Sequence, residues 1–348
     1  MAGGDVTVGE AGGVAVGSSV GKRIWAWPNA VACPSAATHA SSASMPAQHT
    51  RRRKFALAGC SRISPRHYIM GSISCRTFAL VQTAGQGNTK PGRSRQVRMP
   101  NLRKILENSF IAHAERYDSI SSTNDRALAA AREPGLRLPL LIVADEQTAG
   151  RGRGANRWWT GPGSLAFSLL FAKDAAGATG PLVSLAAGVA LVDALAPHVP
   201  GHEIGIYWPN DVMLDGRKLA GILIEVLPDG KQVIGIGINT NNTAASAPAE
   251  VRSRVATLLD ATGRTYDPTE LLISILNRLE EQLAELAQAP DRVAARTNEM
   301  CLQRGRRIAV VQGASRVEGR CFGIADDGAL IIEFEGKQQT VYSGEVRC

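Results

Sequence analysis

The sequence predicts an α+β fold, in which a catalytic domain of mixed helices and strands precedes a small all-β domain. Two patterns indicate this arrangement. Between residues 121 and 288, short apolar runs typical of strands are interspersed with segments of helical periodicity. From residue 306 to 347, short alternating runs are separated by turns that contain glycine. The predicted domains are therefore residues 101–302 and 303–348, after a basic leader at residues 1–100.

The first elements of the catalytic domain are predicted from capping residues and apolar runs. Residues 121–124, Ser-Ser-Thr-Asn, supply side chains that cap a helix at 125–133, and Pro134-Gly135 ends it. The continuously apolar run 138–145 predicts a strand that is covered on both faces. A loop rich in Gly and Arg and a second strand follow, at residues 148–163 and 164–172.

Later elements follow from the same signals. Apolar residues at helical spacing predict a buried helix at 181–198, and Asp267-Pro268 begins another. The core face of that second helix is predicted to consist of Leu272, Ile275, Leu279, Leu283 and Leu286. Strands are predicted at 204–208, 219–227 and 232–238, and in the C-terminal barrel at 307–311, 316–322, 329–334 and 339–341.

The net charge of +8 is concentrated in the leader. Residues 1–100 contain 13 Lys and Arg against two acids, whereas the other 248 residues contain 26 basic and 29 acidic residues. The charge therefore gives no support to a catalytic body that binds nucleic acid. Since the leader lacks a sustained period of 2 or 3.6, we expect it to be disordered. The sequence is also compatible with an organelle transit peptide, an unrecognised module or a start codon placed upstream of the true start at Met99.

Apolar runs and cysteines exclude two further classes of protein. The longest apolar runs, 138–144 and 183–195, are too short or too interrupted to cross a bilayer, so no membrane association is expected. The six cysteines form no CxxC pair and follow no secretory apolar core. We therefore expect isolated free thiols rather than a disulfide framework or a zinc site.

The segment 147–159, Gln-Thr-Ala-Gly-Arg-Gly-Arg-Gly-Ala-Asn-Arg-Trp-Trp, is typical of an anion cradle. Its alternating glycines let backbone N–H groups approach an anion, and Arg151 and Arg153 add fork-shaped donors. It is neither a Walker A motif nor a dinucleotide fingerprint, because the required Lys-Ser/Thr and third Gly are missing. Taken alone, the segment is also compatible with a solvated or RNA-contacting loop, and Trp158 with core packing or adenine stacking.

Two further segments place polar side chains at strand ends. In Trp208-Pro209-Asn210-Asp211, the proline enforces a turn after a strand. Asp215-Gly216 predicts a hairpin turn, followed by Arg217-Lys218-Leu219-Ala220-Gly221 at the start of the next strand. The run 235–242 ends a strand in Gly-Ile-Asn and further amides. Each of these segments alone is compatible with an ordinary turn or strand end.

In this order, the segments resemble the biotin protein ligases and, more distantly, the lipoate ligases. The Gly-Arg-Gly-Arg loop, the Trp-Pro-Asn-Asp turn, the Arg-Lys-Leu-Ala-Gly strand and the Gly-Ile-Asn ending are all present, after an upstream Ser122-Thr123-Asn124. The matches span residues 122–239. The resemblance implies a mixed-sheet catalytic domain like those of class II synthetases and biotin/lipoate ligases, with an SH3-like barrel at the C-terminus.

The resemblance also implies a reaction. An ATP-dependent ligase of this family activates biotin as biotinyl-5′-AMP and transfers the biotinyl group to a lysine of a biotin carboxyl carrier domain, in acetyl-CoA carboxylase or a related carboxylase. Since a carboxylate that attacks the α-phosphate brings two anions together, the site needs cations there. Mg²⁺ is expected to arrive with ATP, and the sequence shows no dedicated metal cage.

The motif matches imply a role for each matching residue. The implied catalytic residues are Arg151, Arg153 and Lys218. The implied biotin-binding residues are Ser122, Thr123, Asn124, Gln147, Arg151, Gly152, Arg153 and Lys218. The implied ATP-binding residues are Arg153, Trp158, Asn210, Asp211 and Asn239. We expect loop 148–163 to be mobile without ligand and to order over the adenylate, so unchanged protease cleavage near 151–157 on adding biotin and ATP would contradict a lid.

One position departs from the family pattern. Tyr207 precedes Trp-Pro-Asn-Asp where the family usually has Lys, and a phenol supplies no positive charge. We expect the remaining cations, Arg151, Arg153 and Lys218, to suffice. This position also leaves open that the protein is a catalytically inactive scaffold.

The resemblance leaves the substrate and the partners less closely defined. A ligase for lipoate or another acyl carboxylate is the rival enzyme on the same fold, and a ligand-sensing transcriptional repressor is the rival of another class. No helix-turn-helix pattern precedes residue 110, so no specific DNA binding is expected. Monomer and homodimer are both compatible with the sequence, and the expected compartment is the cytoplasm.

Overall fold

The computed structural model describes residues 99–172 and 180–347. The predictions for the leader lie outside the described residues, apart from Met99 and Pro100. The strands are β1 (His113–Ile120), β2 (Leu140–Gln147), β3 (Leu165–Phe171), β4 (Ile204–Tyr207), β5 (Asp211–Leu214), β6 (Arg217–Val226), β7 (Gln232–Ile238), β8 (Arg307–Gln312), β9 (Ser315–Ile324), β10 (Leu330–Phe334), β11 (Lys337–Val341) and β12 (Glu345–Arg347). The α-helices are α1 (Leu102–Glu107), α2 (Thr123–Ala130), α3 (Pro181–Leu195), α4 (Ala249–Arg252), α5 (Leu258–Thr262), α6 (Pro268–Gln288) and α7 (Pro290–Met300).

The strands form two sheets. The first sheet has seven strands in the order β1-β2-β3-β7-β6-β5-β4, and it is mixed because β1 and β2 are parallel while the other neighbours are antiparallel. The second sheet has five antiparallel strands in the order β11-β10-β9-β8-β12. This arrangement confirms the predicted α+β fold with a mixed catalytic sheet and a small C-terminal β domain. The predicted boundary at 302/303 stays a prediction.

Strand β2 is covered on both faces, as predicted for its continuously apolar sequence. Leu141 and Val143 belong to the main hydrophobic core. Leu140 and Ile142, which point to the other face, pack with α2 in a second cluster. Because successive side chains of a strand point to opposite faces, a strand between two apolar layers needs apolar residues at every position.

The main core lies between the seven-stranded sheet and a layer of helices. All five residues of the predicted stripe on α6 are buried. Helix α3 packs against α6 and α7. With a 3₁₀ extension at Ala196–His198, it is the one described helix long and apolar enough to span a membrane, which corrects the view that this run is too short. Since 67% of it is buried inside the protein, its apolar character serves the core.

Several boundaries differ from the prediction. Helix α2 spans Thr123–Ala130 rather than 125–133, because Ser122 is the N-cap and its hydroxyl accepts from Asp125 N at 3.4 Å. Strand β4 ends at Tyr207, because Trp208 turns into the core and is only 1% exposed. The sequence patterns do not predict the short or polar elements; these are β1, β5, β12, α1, α4, α5 and α7.

The two described cysteines, Cys301 and Cys321, are buried free thiols, as predicted. The Cys301 thiol donates to Gln303 Oε1 at 3.8 Å. The four other cysteines lie outside the described residues.

Trp208 joins the two sheets. Its backbone N–H donates to Gln303 Oε1 at 2.7 Å, and Gln303 Nε2 donates back to its carbonyl at 3.2 Å. The indole Nε1 donates to the carbonyl of Gly328, which precedes β10, at 3.0 Å. The turn that follows Trp208 is therefore fixed both to the first sheet and to the C-terminal domain.

Candidate active site

A cavity of about 740 Å³ opens along the first sheet, at the ends of β2, β4, β6 and β7 and under loop 148–163. It is lined by every residue to which the sequence assigns a binding or catalytic role: Ser122, Thr123, Asn124, Gln147, Arg151, Gly152, Arg153, Trp158, Asn210, Asp211, Lys218 and Asn239. The fold thus brings into one place segments that are far apart in the chain. The individual roles of these residues stay predictions.

The N-terminus of α2 supplies the polar end of the cavity. Thr123 donates through its backbone N–H (2.9 Å) and its hydroxyl (3.1 Å) to Oε1 of Gln147, the last residue of β2. The Gln147 amide donates to Thr160 Oγ1 at 3.4 Å. Thr123 and Asn124 are nearly fully buried. Because these groups are already oriented by one another, they present a fixed set of donors and acceptors.

Ser168 completes this polar set and was missed by the sequence analysis. It lies in the middle of β3, is fully buried, and its hydroxyl lies 2.7 Å from Thr123 Oγ1 and 2.6 Å from Asn124 Oδ1. A buried hydroxyl is tolerated only with hydrogen-bond partners. The available signal is that Ser168 is the one polar residue in the apolar strand Leu-Ala-Phe-Ser-Leu-Leu-Phe.

Glycines on β6 and β7 form a shelf against which these side chains lie. A Cβ atom at Gly235 would sit 1.9 Å from Asn124 Oδ1, and one at Gly237 would sit 2.2 Å from Cε2 of Trp158. At Gly221, it would lie 3.1 Å from Trp158 Cζ3. The indole of Trp158 therefore lies directly on the strands, which only glycine permits.

Loop 148–163 folds back on itself as a short hairpin. Gly152 N donates to the Asn156 carbonyl at 2.9 Å, and Trp158 N donates to the Gly150 carbonyl at 3.0 Å. Gly154, at the tip, has a φ of +63°, a left-handed conformation that favours glycine. The predicted motion of this loop on ligand binding stays a prediction.

Arg151 is held by two carboxylates. Its guanidinium donates to Asp125 Oδ1 at 2.5 Å and to both oxygens of Glu225, at 2.6 and 3.2 Å. Burial alone would lower the pKa of Arg151, but Glu225 and then Asp125 more than offset this, so the pKa lies above its usual value. The sequence motifs assigned no role to Glu225, which lies on β6 four residues after the end of the Arg-Lys-Leu-Ala-Gly segment.

Arg153 is the more deeply placed cation. It is half-buried, and its Nη1 donates to Asn210 Oδ1 at 3.4 Å. Burial lowers its pKa, against the opposing charge of Asp211. Asn210 is itself fixed by donation to the Ile222 carbonyl at 2.8 Å. Arg153 therefore carries a partly desolvated charge that an anion can neutralise.

Lys218 lies opposite, between an acid and an aromatic ring. Its Nζ is 2.7 Å from Asp211 Oδ1 and 5.7 Å from the centroid of the Trp158 ring. Its backbone carbonyl accepts from Asn239 Nδ2 at 3.4 Å and from Ala256 N at 2.9 Å. The ammonium is thus positioned by an ion pair and a cation–π contact.

Two arginines of the cavity were given no role by the sequence motifs. Arg157 and Arg254 line the same cavity as Tyr207. The carbonyl of Arg254 accepts from Lys218 N at 2.7 Å, and its guanidinium donates to the Glu250 carbonyl. Within the part of the chain that the structure describes, neither arginine forms an ion pair. The cavity therefore holds more positive charge than the family-matched residues alone provide.

No described residues resemble a metal centre. Across 99–172 and 180–347, the side chains of His, Cys, Asp and Glu form no group of three or more that could hold a metal ion. What the cavity presents is a polar, hydrogen-bonded end at α2, a glycine shelf under an indole, and cations at the opposite end. That combination suits an elongated ligand with a neutral polar head and anionic groups.

Comparison with known proteins identifies two families along the chain. Residues 117–241 match the biotin/lipoate A/B protein ligase family, and residues 305–347 match the biotin protein ligase C terminal domain. The chain is 34% identical over 230 residues to a biotin–[acetyl-CoA-carboxylase] ligase from Mycobacterium tuberculosis, covering 65% of this chain and 85% of the relative. It is also 34% identical over 234 residues to the enzyme of that name from Paracoccus denitrificans, covering 65% and 96%.

A solved structure agrees with this result. The biotin protein ligase from Aquifex aeolicus in complex with biotin and ATP superposes with a TM-score of 0.60 at 27% identity, covering 68% of this chain and 98% of that chain. The sequence matches, the C-terminal match and the shared fold are in agreement, and this chain belongs to the biotin protein ligase family.

Proposed function

We propose that this protein is an ATP-dependent ligase that activates biotin as biotinyl-5′-AMP and transfers the biotinyl group to a lysine of a biotin carboxyl carrier domain. The observation that carries this proposal is the meeting of all the family-matched residues in one cavity. Membership of the family and the biotin and ATP bound by the Aquifex aeolicus relative support the same substrates.

The charges in the cavity suit the first half-reaction. The biotin carboxylate oxygen forms a bond to the α-phosphorus, while the bond from that phosphorus to the bridging oxygen of the β-phosphate breaks and pyrophosphate leaves. Arg153 and Lys218 lie on the side of the predicted ATP-binding residues, where negative charge converges. One such unit charge pair at 4 Å and an effective dielectric near 20 is worth about 4 kcal/mol.

The polar end at α2 suits the neutral head group of biotin. Thr123 and Asn124 are nearly fully buried and Gln147 is half-buried, and their amide and hydroxyl groups are held by hydrogen bonds within this set. A ureido ring carries both N–H donors and a carbonyl acceptor, so it can replace water at such groups without leaving them unpaired.

The second half-reaction consumes the adenylate. The amine of the carrier lysine forms a bond to the carbonyl carbon of biotinyl-AMP, and AMP leaves with the electrons of the broken carbon–oxygen bond. Mg²⁺ is proposed to arrive with ATP, because this ion keeps several waters and binds mainly through substrate phosphates and one or two carboxylates. Asp211 is the carboxylate placed among the predicted ATP-binding residues.

The decisive experiment is biotin-dependent exchange between ATP and pyrophosphate, using a purified chain that begins at Met99. We expect this shortened chain to be active, because the cavity-lining residues lie between 122 and 346. We expect exchange with biotin and none with lipoate. Exchange with lipoate alone would favour the acyl-carboxylate rival. Absence of exchange in folded protein, repeated with the full-length chain, would favour an inactive scaffold.

Further parts of the proposal concern partners and location. The acceptor is proposed to be the carrier domain of acetyl-CoA carboxylase or a related carboxylase, and transfer of labelled biotin to that domain is the test. We propose no specific DNA binding and a cytoplasmic location. Retardation of DNA that depends on sequence rather than on salt would contradict the first. Sedimentation at several concentrations decides between monomer and homodimer.

A further inference from the structure

Arg151 stands apart from the other cavity cations, because two carboxylates compensate its charge, whereas Lys218 is paired with one, Asp211. Glu225 accepts hydrogen bonds from both terminal nitrogens of Arg151, and Asp125 also accepts one from Nη1. The side chain of Glu225 is only 20% exposed, against 38% for Arg151 and 47% for Asp125. Two carboxylates around one guanidinium leave a local charge of about −1, which repels a further anion.

Glu225 has a second partner among the predicted biotin-binding residues. Its Oε2, which accepts from Arg151, also accepts from Asn124 Nδ2 at 2.8 Å. Asn124 cannot turn away, because its Oδ1 lies 2.6 Å from the Ser168 hydroxyl and its amide lies against Gly235. One carboxylate on β6 therefore connects the start of loop 148–163 to the head of α2.

The tip of the loop is attached more weakly. Arg153 donates to Asn210 Oδ1 at 3.4 Å, Gly154 and Asn156 are exposed, and the hairpin is closed by hydrogen bonds within the loop. The base of the loop is fixed by Arg151 on one arm and by Trp158 against the glycine shelf on the other. We therefore expect motion over a ligand to be confined to residues 152–157.

We propose that Glu225 is a positioning residue, which holds Arg151 and Asn124 in the ligand-ready arrangement and makes Arg151 an anchor of the loop rather than a charge that meets the reacting anions. Arg153 and Lys218 are then the cations that face the carboxylate and phosphate. The kinetic consequence of this proposal for Glu225 rests on the proposed function. The structural consequence, the anchoring of the loop, does not.

The kinetic test is Glu225→Gln, which keeps the size of the side chain and removes its charge. We expect the KM for biotin in pyrophosphate exchange to rise about 10- to 100-fold, as the loss of hydrogen bonds to a charged group predicts. The kcat at saturating biotin should stay within about threefold, and the KM for ATP should not change. A purely structural role would instead lower kcat and thermal stability together.

Matched controls separate Glu225 from carboxylates in general. Asp125→Asn leaves the two-pronged contact with Glu225 and the Asn124 bond in place, so we expect the KM for biotin within about threefold of wild type. Glu133→Gln makes the same chemical change at a carboxylate that pairs with Arg126 outside the cavity, and should alter neither constant. Arg151→Gln combined with Glu225→Gln should raise the KM for biotin no further than the larger single effect.

Limited digestion with trypsin tests the anchor without any activity. In the absence of ligand, Glu225→Gln should be cleaved after Arg151, Arg153 or Arg157 several-fold faster than wild type, while Glu133→Gln should not. Unchanged cleavage together with an unchanged KM for biotin would overturn the proposal, as would a rise confined to the KM for ATP. If wild type shows no exchange but cleavage accelerates, the anchor stands and the proposed function fails.

Discussion

Gly237 determines where the indole of Trp158 lies. A methyl group at this position would sit 2.2 Å from Cε2 of the ring, well inside van der Waals contact. The ring cannot retreat easily, because its backbone is bonded to Gly150 and its face contacts the Lys218 ammonium. The smallest side chain on β7 is therefore part of the active site, although it has no functional group.

Gly237→Ala should accordingly displace Trp158 and lower biotin-dependent exchange by roughly 5- to 150-fold, the factor that corresponds to an overpacking cost of about 1–3 kcal/mol at the site. A shift in tryptophan fluorescence should accompany the loss. Gly188→Ala is the control, because the added Cβ would meet the flexible end of Ile206 at 3.3 Å, away from the cavity. Full activity of Gly237→Ala would show that the position of Trp158 is unimportant.

Tyr207 occupies the place where a lysine is usual in the family, and the structure shows other cations nearby. Arg153, Lys218, Arg157 and Arg254 all line the cavity with Tyr207. Tyr207→Lys should therefore raise kcat for exchange by less than tenfold, because an added charge meets an already positive surface. Steady-state kinetics decide the matter, with Tyr207→Gln as an uncharged control. A larger gain would mean that the charge is limiting.

At the scale of the strand, β2 carries a carboxylate in an unfavourable place. Burial raises the pKa of Asp145 to about 6, Arg116 opposes this, and Asp118 adds to it. The unfolded chain loses this proton near its ordinary pKa of 3.8. Between those values the folded protein holds the extra proton, so the group makes the free energy of unfolding fall as pH rises from about 4 to about 6.

Asp145→Asn should remove this pH dependence. The variant is expected to be more stable than wild type by about 1–3 kcal/mol at pH 7.5, and the gain should vanish near pH 4. Urea denaturation at several pH values measures the difference. Asp326→Asn, on the exposed turn before β10, is the control. A gain that is the same at pH 4 and 7.5 would contradict the shifted pKa as its cause.

Elements were predictable from sequence where one pattern dominates. The strands β2, β3 and β7 each contain a long apolar run because both of their faces are covered, and α6 shows an uninterrupted stripe because one face is buried. Strand β5 has four residues, of which Asp211 and Met213 are only partly buried. A run of this length is too short for the alternation of strand residues to be detected in the sequence. Strand β1 is at the sheet edge and largely polar, so its pairing with β2 depends on tertiary contacts.

The site was predictable in its membership but not in its connections. Motif matches gave the residues that line the cavity, because glycines, amides and cations recur at fixed spacing. Pairings such as Arg151 with Glu225 join residues from different elements, and no local pattern encodes them. Ser168 and Arg254 lie outside the motifs. Ser168 enters the site because β3 packs beside α2, and Arg254 enters it because the neighbouring residue 255 pairs with Lys218.

At the scale of the whole molecule, Trp208 links the two sheets through its hydrogen bonds to Gln303 and to the Gly328 carbonyl. Trp208→Phe keeps the ring in the core but removes the donor to the Gly328 carbonyl, and an unpaired buried carbonyl costs about 1–3 kcal/mol. Gln303→Leu should cost more, because it leaves both the N–H and the carbonyl of Trp208 without a partner.

Thermal and urea denaturation check these two values, with Gln338→Leu on the exposed face of β11 as the control. We also expect both variants to raise the KM for ATP, because the turn that holds Asn210 and Asp211 follows directly. Loss of stability without any change in nucleotide affinity would show that the hydrogen bonds of Trp208 stabilise the core and do not position the nucleotide-binding turn.

The contact between Trp208 and Gly328 has a genetic consequence. A nonsense codon anywhere between 305 and 327 removes the acceptor of the indole, together with residues 344–346 of the cavity wall. Such an allele would truncate only the small terminal domain, yet it should fail to complement a biotin-requiring strain in the same way as a missense allele at Lys218. Second-site mutations that restore activity to partially impaired variants of the C-terminal domain should accordingly lie near Trp208.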